Sequence, residues 1–264
     1  KPFVMTNKND ANDAQAIVDA ASRASMNFVP IKEVEQQDIQ SIHRVRTRIV
    51  KNRTALINES RGLCLEYGIV IAPGAAKVKL SLCAVIAESN NEFTPSSREC
   101  MQDLYEELID VDLRLKKLNT RIRQLCRQNE NCQRILKIPG VGELTATAIV
   151  AAVPNPKEFR NGRHMSAWLG LVPRQSSSGD KQVLLGISKR GDRYLRTLLI
   201  HGARAVLSHY KDLDNDYARW VGRKKATLSH NKAAVALANK NARIIWSMLS
   251  TGEEFNYGAQ AAAA

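Results

Sequence analysis

An unbroken heptad pattern between residues 101 and 125 constrains the fold of this chain more than any other feature of its sequence. Apolar residues recur there at alternating steps of three and four: Met101, Leu104, Leu108, Val111, Leu115, Leu118, Ile122 and Leu125. Such spacing is the a/d seam of a coiled coil. The pattern predicts a long helix that buries one narrow stripe, either against a helix of the same chain or against a second chain.

A second long helix is predicted from about Ile39 to about Gly68. Four apolar residues recur there every seven positions: Ile42, Ile49, Leu56 and Leu63. Arginines and lysines crowd the other faces, and Pro73 with Gly74 breaks the pattern. Because a connection of roughly 30 residues separates the two long helices, they predict an antiparallel helical hairpin.

The charge balance of the chain indicates a polyanionic partner. Its 264 residues include 39 Lys and Arg against 26 Asp and Glu, a formal net charge of +13. Such an excess is typical of proteins that bind DNA, RNA or an anionic membrane. No apolar run approaches the roughly 20 residues of a membrane span, and no signal peptide is visible. We therefore expect a nucleic-acid partner, no membrane and a cytoplasmic location.

The domain organisation follows from a change in composition after Asn131, where glycine, proline and basic residues become more frequent. The expected fold class is mainly α, with one strand possible at 181–188. Four segments are expected: the end of one domain at 1–30, a helical coiled-coil region at 31–130, a C-terminal domain at 131–252 and a tail at 253–264. Because a helix is predicted at 8–25, directly after Lys1, we expect the N-terminal part of the first domain to be absent.

The stretch "ILKIPGVGELTATAIVAAV", residues 135–153, has the pattern of a helix-hairpin-helix. Gly140 and Gly142 permit a tight turn and let a phosphate approach the backbone closely. The helix that follows would point its N-terminal N–H groups at that phosphate. The alternative is a plain glycine turn between two packed helices.

Residues 160–204 carry nine basic side chains and only two acidic ones, Asp180 and Asp192. The nine are Arg160, Arg163, Arg174, Lys181, Lys189, Arg190, Arg193, Arg196 and Arg204. This density predicts a phosphate-contacting surface, with a solvated charged face as the alternative. Asp192 is expected to cap a helix that begins near Arg193, which would place Arg193 and Arg196 on one face.

Three serines, Ser176, Ser177 and Ser178, precede Gly179 within this basic stretch. A Ser-Gly pair is usually a turn, but a serine among arginines could also attack a phosphodiester whose charge the cations stabilise. Near the start of the chain, Asp10 and Asp13 are three apart on a predicted helix and could share a Mg²⁺ ion. The alternative is that Asp10 caps the helix and Asp13 is solvated.

Three blocks of the sequence together resemble the DEDD-type transposases of bacterial insertion sequences, a family that includes the Piv DNA invertase and the bridge-RNA-guided recombinases. The first block is "KNDANDAQAI" and the third is "NKAAVALANKNARIIWSML". The second joins "LKIPGVGELTATAIVA" to "FRNGRHMSAWLGLVPRQSSSGDKQVLLGISKRGDRYLRTLLIHGARA". With the helical middle, the resemblance covers nearly the whole chain.

The resemblance implies an N-terminal RuvC-like domain of the ribonuclease H fold, a coiled coil and a C-terminal transposase domain. Asp10 and Asp13 match the last two acids of the Asp-Glu-Asp-Asp set that holds Mg²⁺, and the first two are expected upstream of Lys1. Ser178, directly before Gly179, matches the nucleophile that forms a covalent phosphoserine link to DNA; Ser176 and Ser177 match the motif less well, and a one-residue slip is left open.

The resemblance also implies partners. These are donor and target DNA, a structured guide RNA that pairs with both, and further copies of the chain in a dimer or tetramer. The phosphates would then be bound by the residues identified above: Gly140, Gly142, Arg174, Lys181, Lys189, Arg190, Arg193 and Arg196.

Two other functions remain open from the residues. One is a non-catalytic, architectural DNA-binding protein that uses the helix-hairpin-helix. The other is a metal-dependent junction nuclease that uses the acids and not the serine. Only the recombinase forms a protein–DNA adduct that survives denaturation.

Overall fold

The computed structural model describes residues 9–24, 31–178, 181–210 and 215–257, and it leaves out the side chains of Ser178, Lys181 and Gln182. The helices are α1 Asp10–Ala21, α2 Val34–Glu66, α3 Ala75–Ala87, α4 Pro95–Gln128, α5 Glu130–Ile135, α6 Glu143–Ala152, α7 Gly162–Trp168, α8 Arg193–His209, α9 Asp216–Thr227 and α10 His230–Thr251. A 3-10 turn spans Pro156–Glu158, and the strands are β1 Pro173–Ser178 and β2 Lys181–Ile187. The described chain is mainly helical, as predicted.

The chain divides into two compact units, Lys1–Lys32 and Glu33–Ala264. In the first unit, α1 is shorter than the helix predicted at 8–25. Its N-cap is Asn9, whose side-chain oxygen accepts a hydrogen bond from the backbone N–H of Asn12 at 2.7 Å. Asp10 and Asp13 therefore lie within the first turn, where carboxylates favour the positive end of the helix dipole. The alternative in which Asp10 caps this helix is wrong, because Asn9 does so.

The two long helices of the second unit form the predicted antiparallel hairpin. Side chains of α2 reach α4 in reverse order: Arg46 donates to Asn119 at 2.7 Å, and Arg53, seven residues on, donates to Asp112 at 2.6 Å. The bonded residues thus move one heptad up α2 and one heptad down α4. The helix predicted to begin near Ile39 begins earlier, at Val34.

The heptad seam of α4 closes within the chain. Leu108 is only 1% exposed, and Val111 packs with Ile49 and Leu56 of α2 in one apolar cluster. Beyond this cluster, Met101 joins Cys64 of α2 and Val78 and Leu82 of α3 in a second one. Of the two alternatives for the seam, the structure has the intramolecular one, so the seam gives no support to association between chains.

The C-terminal part of the second unit packs around α10. Four of the buried residues of α10 are alanines, Ala233, Ala234, Ala238 and Ala242. Their small side chains let neighbouring helices approach closely. The helices α7, α8 and α9 lie against it, and α5 contacts it from the side of the glycine turn. This arrangement gives the chain its largest apolar core and a rigid support for the segments that leave it.

A buried histidine joins the hairpin to this core. His43 of α2 is 4% exposed, and its Nδ1 lies 2.9 Å from the hydroxyl of Tyr194 in α8. Its Nε2 lies 3.0 Å from the hydroxyl of Thr147 in α6. Gln40, one turn earlier, donates to the carbonyl of Ala151 at 2.9 Å. Polar side chains thus hold α2 against α6 and α8.

None of the helices in the described ranges is long and apolar enough to cross a membrane.

Candidate active site and nucleic-acid surface

The serines lie on a two-stranded antiparallel hairpin formed by β1 and β2. The strand β2 confirms the strand predicted at 181–188, whereas β1 was not predicted, because serine and glutamine give it no apolar alternation. In the register, Ser178 is paired with Lys181 and Ser177 with Gln182. The predicted nucleophile is therefore the last residue of its strand, at the tip of the hairpin. Its neighbours Gly179 and Asp180 lie outside the described residues.

The serine hairpin, as we call β1 and β2 together, projects into solvent. Residues 173–177 and 183–186 are all exposed, including the apolar side chain of Leu184 at 71%. A two-stranded hairpin with no buried face is marginally stable in water. Its position must therefore be held at its base.

Two glycines let the chain pass closely at this base. Gly170 and Gly191 both have positive φ angles, 71° and 82°. A Cβ atom at Gly170 would overlap the carbonyl oxygen of Arg190, and one at Gly191 would overlap that of Trp168. The segment that follows α7 and the segment that precedes α8 are thus packed backbone to backbone. The backbone N–H of Lys189 donates to the carbonyl oxygen of Gly170 at 3.2 Å.

Arg196 completes this anchor from inside the protein. It is 8% exposed, and its Nη1 donates to the carbonyl oxygens of Leu169 and Arg190, each at 3.1 Å. This burial against both ends of the serine hairpin argues against the phosphate contact predicted for Arg196, which stays a prediction. Arg193, the first residue of α8, stays exposed, although it lies only three residues before the buried Arg196 on the same helix.

The other predicted phosphate contacts around the base are exposed. Asp192 caps α8 as predicted, and its carboxylate accepts from the N–H of Tyr194 at 2.6 Å and of Leu195 at 3.1 Å. Four basic residues with exposed side chains surround this cap and the base of the hairpin: Arg174, Lys189, Arg190 and Arg193. Lys181, paired in register with Ser178, has a side chain outside the described residues. The structure thus brings four of these cations to the same segment as the serines.

The glycine turn at 139–142 joins α5 to α6, and it is tied to the core. Gly140 has a φ of 85°, and a Cβ there would lie 2.8 Å from the carbonyl oxygen of Gly202 in α8. The carbonyl of Pro139 accepts from the side-chain amide of Asn241, which is buried, at 2.9 Å. Gly140 is therefore required by helix packing, which was the alternative to phosphate binding. Gly142 is exposed and precedes α6, so its predicted phosphate contact stays a prediction.

The predicted metal ligands belong to the first compact unit. Asp10 and Asp13 are both exposed on α1, and carboxylate oxygens are the donors that Mg²⁺ prefers. These two residues fit a magnesium site by donor type and access. Within the described ranges, no cluster of three or more His, Cys, Asp or Glu side chains could hold a metal ion.

Sequence reasoning missed a second basic region, on α9 and α10. Between Tyr217 and Gly252 the chain has seven Lys and Arg and no acidic residue. The seven are Arg219, Arg223, Lys224, Lys225, Lys232, Lys240 and Arg243. The lack of Asp and Glu in this stretch could have revealed the region. A search for dense basic runs overlooks it, because the seven basic residues are spread over two helices.

Comparison with known proteins identifies the family. Residues 132–218 match the family described as "Transposase IS116/IS110/IS902 family". Over 259 residues the chain is 49% identical to the transposase for insertion sequence element IS1111A of Coxiella burnetii, which covers 98% of this chain and 71% of the relative. A probable family 20 transposase of Pseudomonas aeruginosa is 46% identical, with 95% and 74% covered. The transposase for IS1328 of Yersinia enterocolitica is 36% identical, with 97% and 76% covered.

The chain belongs to the IS116/IS110/IS902 family of insertion-sequence transposases. Transposases are enzymes, so family membership reduces the three functions left open by the residues to two. It excludes the purely architectural protein. The matched segment contains the serine hairpin and its anchor, which is where the candidate chemistry lies.

Proposed function

We propose that this protein cuts and rejoins DNA during transposition through a covalent phosphoserine intermediate, with Ser178 as the nucleophile. The observation that carries the proposal is the serine hairpin, in a segment that matches a transposase family: its serines are on an exposed projection, and cations surround its base. Arg174, Lys189, Arg190 and Arg193 would hold the phosphate backbone and stabilise the negative charge that develops on the attacked phosphorus.

The chemistry is a transesterification. The Ser178 oxygen forms a bond to phosphorus and its proton passes to solvent. The bond from phosphorus to a sugar oxygen breaks, and that oxygen takes up a proton and leaves as a hydroxyl. Rejoining is the reverse reaction, in which a sugar hydroxyl attacks the phosphoserine and restores the serine. The phosphodiester energy is kept in the protein–DNA bond, so no external energy source is needed.

Asp10 and Asp13 are proposed as part of a Mg²⁺ site of a RuvC-like domain. A bound Mg²⁺ would supply Lewis-acid stabilisation of phosphate oxygens. The two exposed carboxylates on the first turn of α1 support this part of the proposal by donor type alone. The alternative of a metal-dependent nuclease uses the same residues and leaves the serine idle, so the proposal depends on which group forms the bond to phosphorus.

The proposal also includes two kinds of partner, a structured guide RNA and further copies of the chain. If base pairing with an RNA selects the donor and target sites, the protein needs only to bind shape and backbone. Exposed cations around a projecting hairpin suit such backbone binding, because arginine and lysine contacts to phosphates are independent of sequence.

A trapping experiment tests the nucleophile. The protein would be incubated with Mg²⁺, RNA and a nicked DNA substrate whose cut strand cannot be rejoined, then denatured and separated on a gel. We expect a protein–DNA adduct with the wild type and with Ser176→Ala, and none with Ser178→Ala. All three proteins should bind DNA equally.

Two results would contradict this assignment. An adduct that persists in Ser178→Ala but is lost in Ser177→Ala would shift the nucleophile by one residue. Cutting that requires Mg²⁺ and Asp13, with no adduct in any variant, would establish the nuclease instead.

A further inference from the structure

The basic residues of α9 and α10 have a single acidic counterpart on their own helices. Asp216, at the start of α9, is the last acid before Glu253, and it pairs with Arg219 at 2.6 Å. In the helical hairpin, by contrast, Arg53 and Lys79 share the carboxylate of Asp112. A run of 36 residues without an acid therefore gives this part of the chain a net positive charge.

Two of these cations lie over one indole ring, and two more lie within one helical turn of them in the sequence. Arg223 and Lys224 follow Trp220 by three and four residues, so all three lie on one face of α9. The Lys224 ammonium is 5.7 Å from the centre of the Trp220 ring, and the Lys240 ammonium, from α10, is 4.6 Å from it. Arg243 follows Lys240 by one helical turn. We call these five residues the Trp220 patch.

The charges of the Trp220 patch repel one another. Burial lowers the pKa of Lys240, and the charges of Arg243 and Arg223 lower it further. Among the described residues, no acidic side chain forms an ion pair with Arg223, Lys224, Lys240 or Arg243. The indole stabilises the two lysine ammonium groups in place, but it does not neutralise them. An anion at this surface would relieve the repulsion.

We propose that the Trp220 patch binds the phosphodiester backbone of a nucleic-acid strand. Cations from two helices, arranged around one apolar ring, can contact successive phosphates, and none of them has a competing carboxylate. The site is distinct in sequence from the cations of the serine hairpin, and it rests on the proposed function only in that the protein acts on nucleic acid. Duplex DNA and structured RNA share this backbone chemistry, so the test includes both.

The test compares two double variants that remove equal charge. Arg223→Gln/Lys240→Gln removes two cations of the patch, and Lys116→Gln/Lys117→Gln removes two exposed cations of α4. Affinity for duplex DNA and for an RNA hairpin would be measured over a range of salt concentrations. On duplex DNA we expect the slope of log affinity against log salt to flatten by about two units in the patch variant, at about 0.9 per lost phosphate contact, and to stay unchanged in the control.

Measuring affinity for both nucleic acids shows whether the patch binds the phosphates of DNA or those of RNA. A change confined to RNA, with a slope of about 0.7 per contact if the bound strand is single, would assign the patch to RNA. Unchanged slopes with both ligands, or equal changes in the control, would overturn the proposal. Loss of affinity for polyglutamate without any change for DNA or RNA would also overturn it, because the patch would then bind acidic protein.

Measurements on the same proteins distinguish a failure of this inference from a failure of the proposed function. Absence of an adduct in the wild type would contradict the phosphoserine mechanism, yet the salt slopes would still test the patch. A normal adduct combined with unchanged slopes would reject the patch alone. Trp220→Phe keeps an aromatic ring packed against the core but weakens cation–π attraction. It should fold normally and reduce affinity several-fold.

Discussion

At the scale of single residues, the segment around the serines has two kinds of basic side chain that the sequence does not distinguish. Arg193 is exposed, and Arg196 is buried with its guanidinium on two backbone carbonyls. A planar guanidinium can donate to both, which a lysine ammonium does less well. Arg196 thus positions the serine hairpin, and Arg193 is free to meet a phosphate.

Arg196→Met should therefore destabilise the protein, whereas Arg193→Met should not. Methionine fills much of the space but leaves the carbonyls of Leu169 and Arg190 buried without a donor, at about 1–3 kcal/mol each. Exposed Arg193 should contribute less than about 0.5 kcal/mol. Denaturant unfolding measures both. If Arg196→Met unfolds like the wild type and instead flattens the salt dependence of DNA binding, the phosphate contact first predicted for Arg196 is right.

At the scale of elements, the joint between the helical hairpin and the C-terminal core depends on a neutral histidine. The Thr147 hydroxyl donates to the carbonyl of Glu143 at 2.8 Å, so it accepts from Nε2 of His43. Nδ1 is then the acceptor for the hydroxyl of Tyr194, which satisfies all three groups. Protonation of His43 would put two donors on the ring and a charge in the core. Burial, reinforced by the Arg46 charge, lowers the pKa of His43 to about 4.

We expect this joint to lose stability as the pH falls from about 6.5 towards 4. The unfolded chain, in which His43 has its ordinary pKa of about 6.5, takes up the proton first, so acid favours unfolding across this window. The full effect is on the order of 3 kcal/mol, from a shift of about 2.5 units at 1.36 kcal/mol each. Unfolding curves of the wild type and His43→Gln, recorded from neutral to acid pH, should converge on acidification. Parallel curves would show that His43 does not titrate in this window.

At the scale of the whole molecule, the proposed chemistry uses residues from both compact units. Asp10 and Asp13 belong to Lys1–Lys32, and Ser178 belongs to Glu33–Ala264. Between them in the sequence lie α2 and α4, with 33 and 34 residues. We propose that the serine and the acids are needed in the same reaction and that different protomers can supply them.

Mixing two inactive variants tests this arrangement. Ser178→Ala and Asp13→Ala should each be inactive alone, and a mixture should recover part of the adduct-forming activity, because some pairings then contain an intact serine and an intact acid pair. Sedimentation would verify that each variant assembles like the wild type. A mixture that remains inactive while both variants assemble normally would rule out the shared site.

The sequence by itself determined the helical elements, because their signals are local. The period of Met101–Leu125 predicted α4, the apolar heptads after Ile39 predicted α2, and Asp192 marked the start of α8. Each depends on residues within a few turns of one another, and the structure confirms all three. Membership of an insertion-sequence transposase family also followed from short blocks of sequence.

Only the tertiary structure decided which faces these elements bury. The seam of α4 could have joined two chains, but α2 of the same chain covers it. Gly140 had the pattern of a phosphate-binding turn, yet Gly202, 62 positions later, packs on it. Arg196 and the cations around Trp220 are equally basic in sequence, and they differ only in what lies against them. Burial and neutralisation depend on residues distant along the chain, and no local pattern records those neighbours.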